Sequence, residues 1–317
     1  MPIHIIMQKI VVIGGGTGSY TVLRGLRKYA DADLTAVINM MDSGGSSGRL
    51  RDEFGFLPPG DVRRGLIALS PETSMLRKLF EYRFAKGQGL EGHSFGNLFL
   101  TALREITGSD AQAIEEAAKI LNINGRVLPV TTTDCHEAAI LENGQVIVSE
   151  VNLVQPKHDP KLRIKKIMLV PKAKAYKPAV ESILAADKIV IGPGGLHYSL
   201  IPSILVGGIV QALKKAKAKK IYVCNIMTQA GDSTGFKASD FVASIEKYLG
   251  KGIIDYVVCN NKQPAKELVA KYGKQGAEYV EPDIKSKQFK VIETNLLDSI
   301  HLARHNPDKL AKVIMKI

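Results

Sequence analysis

Short apolar runs of strand length alternate along this chain with segments whose apolar residues recur at helical spacing. Residues 9–13 (KIVVI) form a continuous β-branched run, and 17–29 follow with helical spacing through Val22, Leu23 and Leu26. Residues 34–40 read as a second strand, and 72–84, 94–106 and 111–121 as helices. The alternation returns late in the chain. Strands are predicted at 188–191, 220–224 and 255–259, and helices at 200–213 (in spite of Pro202), 239–249 and 265–272. Continuous apolar strands are buried on both faces, and helices between them wind such strands into a mostly parallel, doubly wound α/β sheet of the Rossmann-like kind.

The middle departs from this rhythm. Residues 127–130, 137–141, 146–154 and 164–170 are strand-like with almost no helix between them, and Asn143-Gly144 is a hairpin turn. Residues 126–170 therefore read as an antiparallel, β-rich insertion. No Pro/Gly/Ser-rich linker and no internal repeat divides the chain, so residues 1–317 are expected to form one domain around that insertion.

Composition narrows the class. The chain has 317 residues, 45% hydrophobic and 23% charged, enough to bury a large core and far from disordered or low-complexity sequence. No apolar run reaches the roughly 20 residues of a membrane span. The opening MPIHIIMQKIVVIGGG has neither a basic n-region nor a small-residue cleavage site, so no secretory signal is expected. Cys135, Cys224 and Cys259 are odd in number and lack CxxC spacing, which points to a reducing, cytoplasmic setting without disulfides or structural zinc.

The net charge of +12 raises the question of nucleic acid. It is concentrated in two stretches: eight basic residues against Asp159 alone in 157–177, and five lysines without an acid in 214–220. Neither stretch has aromatic residues interleaved as single-strand binding requires, so solvated faces are expected, with an anion-attracting surface as the alternative, and no nucleic-acid partner.

Five segments carry candidate chemistry. Gly14-Gly15-Gly16-Thr17-Gly18 lies between the first strand and first helix, where glycine lets backbone N–H groups approach a phosphate. Ser19 occupies the third glycine position of a GxGxxG, and no Walker lysine follows. Residues 41–65 (MDSGGSSGRLRDEFGFLPPGDVRRG) follow the second strand without periodicity and read as a functional loop. In it Asp42 ends the strand, Gly44, Gly45 and Gly48 offer amides, Ser46 and Ser47 hydroxyls, and Arg49, Arg51, Arg63 and Arg64 forked donors. Asp61 is expected to cap the next helix. Residues 92–98 place His93 and Asn97 on one face of a helix start. Gly192-Pro193-Gly194-Gly195 and residues 224–231, with Asn225 and Thr228, end two further parallel strands. All but the 92–98 segment fall at the carboxyl edge where open α/β sheets bind ligands. Asp42, Asp61 and Asp134 are candidate Mg²⁺ ligands beside phosphates. There is no GxSxG, HExxH or kinase signature, and spacing names no general base.

GGGTG, DSGGSSGRLRDEFGFLPPGDVRRGLIAL, LEGHSFGNLFLTALREITG, NINGRVLPVT, KIVIGPGGLHYSLIPSIL and KKIYVCNIMTQAGDSTGF, in this order, closely resemble the YvcK-like gluconeogenesis factor family, part of the wider group of CofD-like proteins. The likeness runs from Lys9 to about Leu310. It implies a CofD-like α/β fold and a cytoplasmic protein that binds the nucleotide sugar UDP-N-acetylglucosamine and acts in carbon metabolism, cell-wall precursor balance and cell shape; a homo-oligomer, a dimer, is expected besides. Related CofD enzymes transfer a phosphate-linked group from a nucleotide to a deazaflavin alcohol with Mg²⁺, which supplies the alternative of a transferase. An NAD-binding protein is a third, weaker alternative. Carried over by position, Gly14 to Gly18, Asp42 and Gly44 to Arg49 hold the nucleotide, joined by Tyr272 and Arg304 in AKYGKQGAEYV and ARHNPDKLAKVI. The chain departs from the family at Ser19, where leucine is common, at Ser43, where a second acid is common, and at His197, where tyrosine is common.

Overall fold

The computed structural model describes residues 7–154, 159, 161–298 and 302–317. The first six residues and Lys157, both part of the sequence reading, lie outside them.

Seven of the strands lie side by side, all parallel: β1 (Gln8–Gly14), β2 (Ala32–Ile38), β3 (Arg126–Pro129), β7 (Lys188–Ile191), β8 (Lys219–Val223), β9 (Tyr256–Asn260) and β10 (Lys290–Thr294), in the order β10-β9-β8-β7-β1-β2-β3. The central β-branched run is buried on both faces because helices cover both: Ile10, Val12 and Ile13 are fully enclosed. The helices of the first half are α1 (Gly16–Leu26), α2 (Gly45–Phe54), α3 (Pro59–Leu69), α4 (Met75–Glu81), α5 (Phe95–Thr107) and α6 (Asp110–Ile120). A separate antiparallel sheet orders β5-β4-β6, with β4 (His136–Leu141), β5 (Val146–Val148) and β6 (Ile164–Val170), and α7 (Glu150–Val154) follows β5. The second half adds α8 (Lys177–Leu184), α9 (Ile201–Leu205), α10 (Ile209–Lys215), α11 (Ala238–Leu249), α12 (Lys266–Gly273) and α13 (Pro307–Lys316).

The doubly wound sheet with an antiparallel annex is the expected fold class, and three local expectations change. β3 is not antiparallel: Arg126 pairs with Thr35 in the main sheet, so the antiparallel part begins at His136. The run 146–154 is not one strand. Ser149 adopts φ +76, which breaks the extended chain, and α7 starts at the next residue with the N–H of Val151 on Ser43 Oγ. Residues 200–213 are not one helix either. A π-helical turn (Leu196–Leu200) runs into α9, and Gly208 at φ +108 separates α9 from α10.

The largest departure is at residues 41–65, which are not a loop but α2 and the start of α3. Two glycines and a polar composition hide α2 from periodicity, since glycine costs about 1 kcal/mol in a helix. Tertiary contact overrides that cost. Gly48 packs so closely on the Ser43 carbonyl that a Cβ would lie 2.1 Å from its oxygen. Gly55 (φ +68) ends the helix as a left-handed cap, and Pro59 opens α3 at its first position.

Candidate functional site

β2 lies on one side of β1 and β7 on the other, so the connections leaving β1 and β7 diverge and open a crevice at their carboxyl ends. The glycine turn after β1 and Gly192–Gly195 after β7 form its walls. They meet backbone to backbone: a Cβ on Gly18 would lie 1.9 Å from the Pro193 carbonyl oxygen. Asn225, after β8, locks the second wall, accepting the Gly194 N–H at 3.1 Å and donating to the Gly194 carbonyl at 2.9 Å.

Two helices begin at this crevice. α1 starts after Gly15 and α2 after Gly44; neither N-cap residue has a side chain to bond the helix, and neither first turn holds an acid. The α2 N–H groups and positive dipole end are therefore presented to whatever fills the crevice, whereas the α1 start is partly met by the Asp61 carboxyl. The start of the π-helical turn is closed instead, because Asp232 accepts the N–H groups of Leu196 and His197. His197 is buried beneath it, ring nitrogen to Asp232, and the neighbouring Tyr198 faces the cleft with its hydroxyl donating to Gln229 Oε1 at 2.6 Å.

Behind α2 a buried polar network fixes the serines. Asn97 donates to Ser46 Oγ at 3.1 Å and accepts from Arg63 Nε at 2.9 Å, and His93 Nδ1 meets Ser46 Oγ at 3.1 Å. Burial, with Arg49 adding repulsion, lowers the His93 pKa, so the ring is held neutral.

The resulting cleft has a volume of about 530 Å³, and four arginines, Arg63, Arg64, Arg83 and Arg304, reach it. Three carboxyls, Asp42, Asp61 and Glu150, also line it. Asp42 accepts the Gly44 N–H at 2.9 Å, and Asp61 lies against Gly15 with an oxygen where a Cβ would be only 2.0 Å away. Burial first, then the Asp42 charge, raises the Asp61 pKa; burial, Asp42 and Asp61, in that order, raise that of Glu150. Crowded acids of this kind share protons, and a hydrogen bond links Glu150 to Asp42. Among the described residues no three His, Cys, Asp or Glu side chains form a metal-ligand group. Magnesium held beside phosphates needs only one or two carboxylates, and Asp42 and Asp61 fit that lesser requirement.

The fold brings together Gly15, Gly16, Thr17, Gly18, Asp42, Gly44, Gly45, Ser46, Ser47, Asp61, Asn97, Gly194, Asn225, Thr228 and Arg304. Several sequence candidates stand outside the lining, Gly48 among them, packed on the Ser43 carbonyl. Gly14 is the last residue of β1, and Arg49 points away to donate to the Glu91 carbonyl. His93 lies behind Ser46, and Tyr272 packs behind Ile226 and Ala303. Asp134 is likewise outside, paired with Arg51. Asp61 caps nothing in its own helix; Pro58 is the N-cap of α3, and Asp61 takes the Gly16 N–H across the crevice. Sequence reasoning missed Glu150, Tyr198, Gln229 and Arg83. Gln229 lies inside the recognised 224–231 segment and Tyr198 just beyond Gly195, whereas nothing local marks Glu150, which reaches the cleft only through the turn at Ser149.

Fold and site together define a doubly wound α/β protein with an arginine-rimmed, glycine-walled cleft at its switch point. The chain belongs to the CofD family, whose profile, described as 2-phospho-L-lactate transferase CofD, matches residues 10–297, and within it to the gluconeogenesis factors. It is 40% identical over 314 residues to the gluconeogenesis factor of Halalkalibacterium halodurans, covering 98% of this chain and 96% of that one. With the gluconeogenesis factor of Bacillus subtilis it shares 38% identity over 314 residues, 98% of each chain. The crystal structure of a UPF0052-family protein from Bacillus halodurans is similar at a TM-score of 0.91 and 38% identity, covering 97% of this chain and 99% of that one.

Proposed function

We propose that the cleft binds a nucleotide sugar, UDP-N-acetylglucosamine, and that the protein acts by binding it, as a regulator linking central carbon metabolism to cell-wall precursor supply and cell shape. The observation that carries this reading is the pair of helix N-termini with glycine N-caps, α1 and α2, facing one arginine-rimmed crevice. A diphosphate suits them: backbone amides and serine hydroxyls line the cleft together with Arg64 and Arg304. Ile226, Met227 and Ala303 supply an apolar strip on the Arg304 side for a pyrimidine ring, with Tyr272 buttressing Ile226 and Ala303 from behind. The names of the relatives support the metabolic role.

A second reading, a Mg²⁺-dependent phospho-group transferase, is favoured by the crowded carboxyls Asp42, Asp61 and Glu150, whose repulsion a cation would relieve. Asp42 and Asp61 would hold such an ion against the diphosphate, and the ion would neutralise charge developing on the phosphates. A thermal-shift panel of UDP-N-acetylglucosamine, UDP-glucose, GDP, GTP and NAD, each with and without Mg²⁺, tests both. The first reading expects stabilisation by UDP-sugars without metal, about 2.7 kcal/mol at 100 times Kd. Stabilisation by NAD alone, or by no nucleotide, would overturn it, and a strict Mg²⁺ requirement would favour the transferase.

A further inference from the structure

The cleft occupies the carboxyl ends of the strands. At their amino ends β8, β9 and β10 open onto a second concavity of about 1270 Å³. One wall carries Lys217, Lys219 and Lys220, part of the lysine run at 214–220, and the other carries Lys285, Lys287 and Lys290. The lining holds one acid, Asp255, and its carboxylate already accepts the Lys220 backbone N–H at 2.8 Å. Lysine ion pairs among the described residues lie elsewhere, at Lys28, Lys119, Lys177 and Lys237. Lys219 Nζ and Lys220 Nζ donate to the main-chain oxygens of Ile317 and Ala216, contacts that bring no carboxylate side chain to either lysine. Six like charges gathered in one groove still repel one another, and an anionic occupant relieves that repulsion.

The walls also hold two aromatic rings. Tyr256 opens β9 and Phe289 precedes β10; each is half-buried, packed on the core and bordering the groove. Lys290 Nζ stands 5.9 Å from the Tyr256 ring centroid. The lysine run 214–220 contains no aromatic residue, and the fold brings Tyr256 and Phe289 to it from other segments. Lysines beside aromatic faces in a concave track are what single-stranded nucleic acid uses, phosphates on the cations and bases on the rings. A duplex keeps its bases stacked away from such rings, a lipid surface does not enter a groove, and an acidic peptide makes no use of ring faces.

We propose that the groove at the amino ends of β8, β9 and β10 binds single-stranded nucleic acid. The strands separating it from the cleft are five residues long, about 16 Å, so the two sites can be filled together. The proposal is independent of the nucleotide-sugar reading.

Fluorescence anisotropy with a labelled oligodeoxyadenylate of about 12 nucleotides tests it. The single strand should bind more tightly than its duplex and than a polyglutamate peptide of equal charge. Replacing Lys285, Lys287 and Lys290 together by Gln should weaken binding about tenfold and flatten the log Kd against log salt slope by about two. Phe289→Leu, which keeps the apolar packing, should weaken binding with the salt slope unchanged. Arg304→Ala, in the cleft, should bind the oligonucleotide as the parent does. No binding at low salt, equal or tighter binding of the peptide or duplex, or indifference to the triple substitution would each overturn the proposal.

Discussion

Gly18 and the Pro193 carbonyl are in backbone contact across the switch point, closer than any side chain would allow. The contact fixes the start of α1 against the turn after β7. The displaced atom would be main chain on both sides, so a methyl group here cannot be absorbed by a rotamer change. Gly18→Ala should therefore destabilise the protein by about 1–3 kcal/mol, the range of overpacking in tight interiors. It should also weaken nucleotide-sugar binding, because the α1 N–H groups shift with it. Urea denaturation and titration calorimetry check both effects, and a variant with parental stability would contradict the close packing.

Arg304 is exposed at the cleft mouth, so its removal should separate binding from folding. Arg304→Ala is expected to weaken UDP-sugar binding about tenfold, or about 1.4 kcal/mol. The unliganded melting curve should match the parent. If the guanidinium meets phosphate, the difference shrinks in high salt, where an exposed ion pair is screened. Calorimetry at two salt concentrations decides the matter, and equal affinities at both would remove Arg304 from the site.

Asn97 lines the cleft and also spaces the serines of α2 from Arg63. Asn97→Ala leaves the buried Arg63 Nε and the Ser46 hydroxyl short of a partner. A cost of about 1–3 kcal/mol in stability is expected, with a matching loss of nucleotide affinity as the α2 N-terminus loosens. Asn97→Asp, which keeps the acceptor for Arg63, should recover part of the stability. The same denaturation series measures both, and a neutral Asn97→Ala would show the network to be dispensable.

Glu137 is fully enclosed on β4, and neither carboxyl oxygen has a hydrogen-bond partner. Burial pushes its pKa up to about 8, with Arg51 opposing. An acid whose folded pKa is raised contributes stability that is whole below the ordinary carboxylate range and is lost as pH rises toward 8. Stability of the parent should thus decline between about pH 5 and pH 8, and Glu137→Gln should flatten the decline by an amount on the order of a few kcal/mol. Asp61 and Glu150, also raised, keep part of the slope. Urea midpoints at both pH values check this; parallel profiles for parent and variant would refute it.

The chain's own pattern settled the parallel sheet and its glycine turns, because continuous β-branched runs such as Ile10–Ile13 have one stable setting, buried between helix layers. It also settled the hairpin at Asn143-Gly144, where Gly144 takes φ +86 between β4 and β5. These features depend on neighbours in sequence. The features the pattern left open depend on partners far away. α2 forms in a glycine-rich, polar stretch because the Ser43 backbone and the Asn97 network hold it, neither of which local propensity records. Glu150 arrives beside Asp42 because Ser149 turns the chain, a left-handed residue no composition announces. Arg49 and Tyr272, plausible by type, face away because helix rotation chooses which side chains point inward, and that rotation is set by the packing of the opposite face. The same logic placed Tyr256 and the 285–290 segment, with Phe289, beside the lysines of 217–220, with which they share no segment: proximity across a sheet is decided by strand order, and strand order is a property of the whole fold.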